Sequence, residues 1–358
     1  MNISVITPAA KRSRSGNRVT AVRWARILQA LGHCVTVDEA WPGTDGRARP
    51  GAHREVQPDA GGGARLRADR RSQPGEDSGG GRRGPDLLVA IHAWRSAASV
   101  AEFRVRHPVR PLVVLMSGTD IYRFQHSHPD ETTASMAAAD RLVGLHDIVA
   151  DDLPARLRSK LRIIHQSAPP LRTPRMPARR TFDVCVVGHL REEKDPFRAA
   201  RAARLAPAAS KLRVIHLGKP HDTAHEREAR AEMTANPRYV WRGEVPRWQV
   251  RRTFAHCHAM VMSSIMEGGA NVVSEAVVAG VPVIASDIPG NIGLLGAGHP
   301  ALYPPGDTEA LHALLHRAET EPGFLDTVRT HGDTRRGLFA PEREHAAWAA
   351  LLGELENS

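Results

Sequence analysis

Short apolar runs alternate along the chain with longer amphipathic stretches, a pattern that predicts strands and helices in turn. Residues 3–8 read as a short strand ended by proline, and 18–31 as a helix with Val22, Ala25, Leu28 and Leu31 on one face and Gly32 as its stop. With a second strand at 34–37 these make a strand-loop-helix-strand unit, the kind that builds a parallel sheet. Further strands are predicted at 86–91, 111–116, 142–145 and 161–164, with a helix over 97–107. A hinge then runs from Ser167-Ala168-Pro169-Pro170 to Arg180. The pattern resumes with strands at 182–187, 212–217, 239–242, 259–262 and 281–285. Helices are predicted up to 206, from the loop at 263–270 to a stop at Gly280, and from Asp307 to about 317. A last helix from about 341 carries Trp348, Leu351, Leu352 and Leu355 on one face. The fold class read from this order is α/β.

A chain of 358 residues is long enough for about two domains, each with its own core. No apolar run approaches the ~18 residues that span a bilayer, and basic residues follow the first apolar run rather than precede it. The expectation is a cytoplasmic enzyme without stable membrane insertion. Cys34, Cys185 and Cys257 stand far apart without ligand spacing, so no metal or disulfide framework is expected, and all three read as reduced core residues. The formal charge of +10 is mostly scattered arginine, which argues against a nucleic-acid partner. Residues 43–85 differ in kind, with eleven glycines, nine arginines and only Val56 and Leu66 as sizeable apolar side chains. Such a segment buries too little to offset its ordering entropy and is expected to lack order.

The chemistry concentrates in Ser263-Ser264-Ile265-Met266-Glu267-Gly268-Gly269-Ala270-Asn271, which leaves a strand and enters a helix. The free N–H groups of Gly269, Ala270 and Asn271 and the helix dipole converge there on one place, a pocket for an anion, with phosphate the natural guest. Glu267 at the mouth of the turn and Glu275 one helical turn inside bracket that pocket. Carboxylates repel phosphate and bind hydroxyls, so the pair points to a sugar nucleotide. In the first half, a loop with Gly16, Asn17 and the cations Lys11, Arg12, Arg14 and Arg18 follows the first strand, where parallel sheets bind ligands. It reads as a second anion site, although so basic a loop is also compatible with a solvated surface. His92, at a strand end beside Arg95, is a candidate ligand, while most such histidines are structural. Arg191 and Lys194, three residues apart after Gly188, can face one pocket, Arg gripping phosphate oxygens with two prongs and Lys as a point charge.

Glu267 and Glu275 resemble the Glu-x7-Glu motif of the retaining glycosyltransferases of group 1, and Gly188 to Lys194 resembles that family's Gly-x-Leu-x-x-x-Lys element. The resemblance implies two Rossmann-like domains facing across a cleft, the arrangement known as GT-B, with the last helix crossing back to the first domain. On that basis residues 1–170 form an acceptor-binding domain, 180–335 a nucleotide-sugar-binding domain, and 338–358 the crossing helix. It further implies that Glu267 contacts hydroxyls of the donor sugar, Glu275 holds the ribose, and Arg191 and Lys194 clamp the donor diphosphate, with Glu267, Arg191 and Lys194 as the catalytic set. Gly188, Gly268, Gly269, Ala270 and Asn271 complete the donor site. The turn Ser117-Gly118-Thr119-Asp120 is similar to the family's His-Gly-x-Asp turn, with Ser117 in place of the His, and Ile288 to Gly293 lacks the Glu of the family's Gly-Gly-x-x-Glu turn.

The wording Ser13-Arg14-Ser15-Gly16-Asn17-Arg18, Gln166-Ser167-Ala168-Pro169-Pro170 and Met266-Glu267-Gly268-Gly269-Ala270-Asn271 resembles one subgroup, the selenosugar synthases of selenoneine biosynthesis. These transfer a sugar from UDP-N-acetylglucosamine or UDP-glucose to the selenium of selenophosphate. The acceptor would then lie among Arg14, Gly16, Asn17, Arg18, His92, Arg95, Gly118, Thr119 and Asp120, with no cofactor. A glycosyltransferase with an alcohol acceptor, and an epimerase or non-catalytic sugar-nucleotide-binding protein, are the competing expectations.

Overall fold

A computed structural model describes residues 1–13, 15–41 and 84–357 of the chain. Arg14, and the segment 43–85 apart from Gly84 and Pro85, lie outside the described residues.

The first sheet contains β1 (Asn2–Ile6), β2 (Cys34–Asp38), β3 (Leu87–Ile91), β4 (Leu112–Leu115), β5 (Arg141–Gly144) and β6 (Leu161–Ile163), in the order β2-β1-β3-β4-β5-β6. Every pairing is parallel. Strands β3 and β4 are buried at every position because helices cover both faces, which is why they read as unbroken apolar runs. Helices α1 (Gly16–Ala30), α2 (Ala97–Arg106), the single turn α3 (Gln125–Ser127) and α4 (Pro129–Ala138) belong to this half.

The second sheet, also parallel, contains β7 (Phe182–Val187), β8 (Leu212–Leu217), β9 (Tyr239–Trp241), β10 (Ala259–Met262), β11 (Val283–Ser286) and β12 (Leu302–Tyr303). Its order is β12-β11-β10-β7-β8-β9. The helices are α5 (Arg198–Arg204), α6 (Thr223–Ala235), α7 (Arg247–His256), α8 (Asn271–Val278), α9 (Pro289–Leu295), α10 (Thr308–Thr320), α11 (Phe324–Arg335) and α12 (Pro341–Glu356). Two Rossmann-like domains result. Strand order reverses between β1 and β3 in one and between β7 and β10 in the other, and ligands of such sheets bind beyond the carboxyl ends at those reversals.

Helix α12 crosses back to the first domain. Trp348 meets Trp24 edge-on, ring centroids 4.8 Å apart, and Leu351, Leu352 and Leu355 join the core of Ile3, Leu28 and Val89. Trp348 is fully buried, which by area alone is worth at most about 4–6 kcal/mol. Glu344 anchors the same helix: its buried carboxylate accepts from Trp24 Nε1 at 2.9 Å and from Ser167 N and Oγ at 2.9 and 2.5 Å.

Some expectations are corrected. Helix α1 starts at Gly16 rather than 18, because Ser15 is extended and serves as the N-cap residue, so Gly16 and Asn17 form a first helical turn and not a loop. The stretch at 288–293 is mostly helix α9, opened by Pro289 at a position where the missing N–H costs nothing. Cys34 is exposed on the edge strand β2, whereas Cys185 and Cys257 are buried. Helices α4, α6, α7 and α11 escaped the apolar pattern because their buried stripes are thin; α6 buries only Ala229 and Glu232.

Candidate active site

Two loops leave the neighbouring strands β7 and β10 and are knitted together. Ser263 Oγ donates to the carbonyls of Lys194 and Asp195 at 3.1 and 2.9 Å, and Ile265 N donates to the Glu193 carbonyl at 2.9 Å. This seats Lys194 against Glu267, whose Oε1 accepts from both Lys194 Nζ and Ser264 Oγ. Arg191 lies on the same loop, and its buried Nε has no hydrogen-bond partner among the described residues. Burial, together with Arg191, Lys219 and Lys194 around it, pushes the His189 imidazole below its usual range, against the partial opposition of Glu244. Asp195, just past Lys194, has a φ of +40°, and His92 has one of +80°. Such conformations cost about 1–3 kcal/mol in a residue other than glycine and gather at functional sites.

Helix α8 begins at Asn271, and the N–H groups of Gly269, Ala270 and Asn271 donate to no backbone carbonyl among the described residues. Gly269 sits at φ +116°, where a side chain is strained, and a Cβ there would collide with Leu145. Glu275, one turn on, pairs with Arg247 Nη2 at 3.0 Å. Arg23 of α1 reaches across to donate to Asn271 Oδ1 at 2.5 Å.

In the first domain the free end of α1 presents the N–H groups of Gly16, Asn17 and Arg18. Arg18 is 8% exposed, and its Nε lacks a hydrogen-bond partner among the described residues. An unpaired buried guanidinium is costly, and a bound anion would relieve that cost. Arg95 is exposed. Asp120 is not free to bind an acceptor: at 1% exposure its carboxylate accepts from Ala93 N, Trp94 N and Ser117 N at 2.8–2.9 Å and pairs with His92 Nδ1 at 2.7 Å. Burial alone would raise its pKa, but His92 and the backbone bonds outweigh it, and the carboxyl stays below its usual range. His92 in turn reaches Thr119 Oγ1 with Nε2 at 3.1 Å, so this pair braces the loops that carry Gly118 and Thr119.

The two domains meet closely. A Cβ on Gly118 would collide with the Gly268 backbone, and one on Gly293 with the His146 ring. Arg123 pairs with Glu193 at 2.9 Å, and Arg335 pairs with Asp147. The structure thus brings Arg191, Lys194, Glu267 and the end of α8 together in one domain and sets Gly118 against them from the other. Glu275 lies a turn deeper. Sequence reasoning missed Arg23, Arg247 and His146: Arg23 meets Asn271, Arg247 meets Glu275 and His146 lies against Gly293, all distant in the chain, and no local spacing marks them.

Known structures share this architecture. Sucrose-phosphate synthase from Thermosynechococcus elongatus superposes with a TM-score of 0.73 at 18% identity, over 99% of both chains. Anabaena HepE in complex with UDP and glucose gives 0.71 at 14% identity, over 99% of this chain and 100% of that one. A UDP-forming trehalose-phosphate synthase from Burkholderia xenovorans gives 0.62 at 13%, over 77% and 74%. At these identities the likeness establishes the GT-B fold. The description "Glycosyl transferases group 1" matches residues 177–355, half of the chain and the whole of the loop pair described above, and the chain belongs to that family of glycosyltransferases.

Proposed function

We propose that the chain transfers a sugar from a UDP-sugar, UDP-N-acetylglucosamine or UDP-glucose, to selenophosphate. The donor half rests on Arg191, Lys194 and the free end of α8, an all-donor surface suited to a diphosphate, and on UDP and UDP-glucose bound in HepE of the same fold. The acceptor half rests on one observation: the buried Arg18 guanidinium beside the free end of α1, the environment of a small polyanion rather than of an alcohol. Selenium attacks the anomeric carbon, the bond from that carbon to the UDP oxygen breaks, and a Se-glycosidic bond forms. Selenophosphate is already a strong nucleophile and needs no general base. The barrier falls through positioning and through stabilisation of departing UDP by Arg191, Lys194 and the helix dipole at Asn271, with Glu267 holding the sugar and Glu275 the ribose.

Incubation with each UDP-sugar, with and without selenophosphate, and mass identification of products tests this. UDP release that depends on selenophosphate is expected; release that depends instead on an alcohol, or binding without release, overturns it. Arg18→Ala should raise the Michaelis constant for selenophosphate about tenfold and leave UDP affinity unchanged, and Arg191→Ala should do the reverse.

A further inference from the structure

We propose that Arg23 is a positioning residue for the donor site: it fixes the orientation of the Asn271 amide, and through it the end of α8, relative to the first domain. This rests on the donor reading above and extends it to a residue of the opposite domain. One guanidinium serves three elements. Nη1 donates to the Ser167 carbonyl in the hinge at 3.0 Å, Nε lies 3.3 Å from Glu344 Oε1 on α12, and Nη2 donates to Asn271 Oδ1 at 2.5 Å. Hinge, crossing helix and donor helix are thereby tied to α1 by a single planar group, which a lysine, with one point of charge, does not reproduce.

The chemistry of the amide gives the contact its consequence. An asparagine presents a carbonyl oxygen on one branch and an NH2 on the other, and a guanidinium accepts nothing. With Oδ1 committed to Arg23, the Nδ2 group must face the other way, and it makes no hydrogen bond among the described residues. Asn271 Nδ2 then adds two donors to the free N–H groups of Gly269, Ala270 and Asn271 at the end of α8. If the amide were reversed, an oxygen would face the incoming phosphate. Arg23 thus keeps the surface wholly donating, without touching the ligand. The side chain is 18% exposed, and Glu275 and Arg247 lie within electrostatic reach of it.

The test is a double-mutant cycle on the full chain, with UDP as the probe and calorimetry as the readout. Arg23→Ala and Asn271→Ala should each loosen UDP about tenfold, and the double variant should bind no more weakly than Asn271→Ala alone. Arg23→Lys should recover only part of the loss, and it carries the cycle if Arg23→Ala fails to fold. Glu344→Gln, which disturbs the same hub away from Asn271, should lower the melting temperature and leave UDP affinity unchanged. Losses that multiply in the double variant, unchanged affinity in Arg23→Ala, or an equal loss in Glu344→Gln would each overturn the proposal. A parent chain that binds no UDP overturns the donor reading itself, a separate outcome.

Discussion

Acidifying the protein from pH 7.5 toward pH 4 should weaken it through His146, and His146→Leu should remove that part of the loss. The imidazole is wholly buried at the seam between the domains, pressed on Gly293 of α9, and neither ring nitrogen has a hydrogen-bond partner among the described residues. Burial lowers its pKa from 6.5 to about 4, with His165 adding to the effect and Asp147 opposing it. The folded state therefore binds fewer protons than the unfolded one between those values, so stability is complete above pH 6.5 and is lost as the pH falls toward 4. At 1.36 kcal/mol per unit of pH the linkage is about 2 kcal/mol at pH 5 and approaches about 3 kcal/mol below pH 4. His216 and His299, also lowered to about 4 by burial, act in the same direction, so the parent's slope exceeds the share of any one histidine. Urea unfolding at a series of pH values, parent beside His146→Leu, isolates the difference. At pH 7.5 the variant should be as stable as the parent or more so, since leucine leaves no unsatisfied nitrogen. Identical pH slopes in the two proteins would refute the reasoning.

Glu344→Ala should cost about 3–5 kcal/mol in urea unfolding, because it leaves Trp24 Nε1 and both Ser167 donors without their buried acceptor and Arg23 without its counter-charge; a cost under about 1 kcal/mol would contradict that account. Glu275→Ala should weaken UDP-sugar binding by roughly 1.5–3 kcal/mol in calorimetry, and unchanged affinity would remove the ribose role. Gly118→Ala should reduce turnover about tenfold or more with little change in melting temperature, since its Cβ meets the Gly268 backbone across the cleft while both cores are untouched; normal turnover would separate that contact from catalysis.

The two-sheet architecture was legible because its strands are buried on both faces. Runs such as Leu87–Ile91 and Ala259–Met262 carry no polar residue, and the glycine stops at Gly32 and Gly280 mark helix ends whose positive φ only glycine adopts freely. The loop from Ser263 to Asn271 was legible because strand, glycine turn and helix start are consecutive in the chain. Thin-striped helices such as α6 were not, since burial of Ala229 and Glu232 is decided by what packs there and not by local periodicity. Nor was the fate of Asp120. A carboxylate in the turn after a strand looks free in the sequence, and only the fold brings the N–H groups of Ala93 and Trp94 and the His92 ring onto it. The pairing of Lys194 with Glu267, the hub of Arg23, Ser167, Glu344 and Asn271, and the burial of Arg18 and His146 join residues from different domains or distant loops. The sequence by itself marked the buried strands, the broadly striped helices and the glycine turn that opens α8, because these follow from neighbours within a few residues. Tertiary structure alone decided which polar groups are satisfied and which are left unpaired, because desolvation and hydrogen bonding depend on what distant segments place against them.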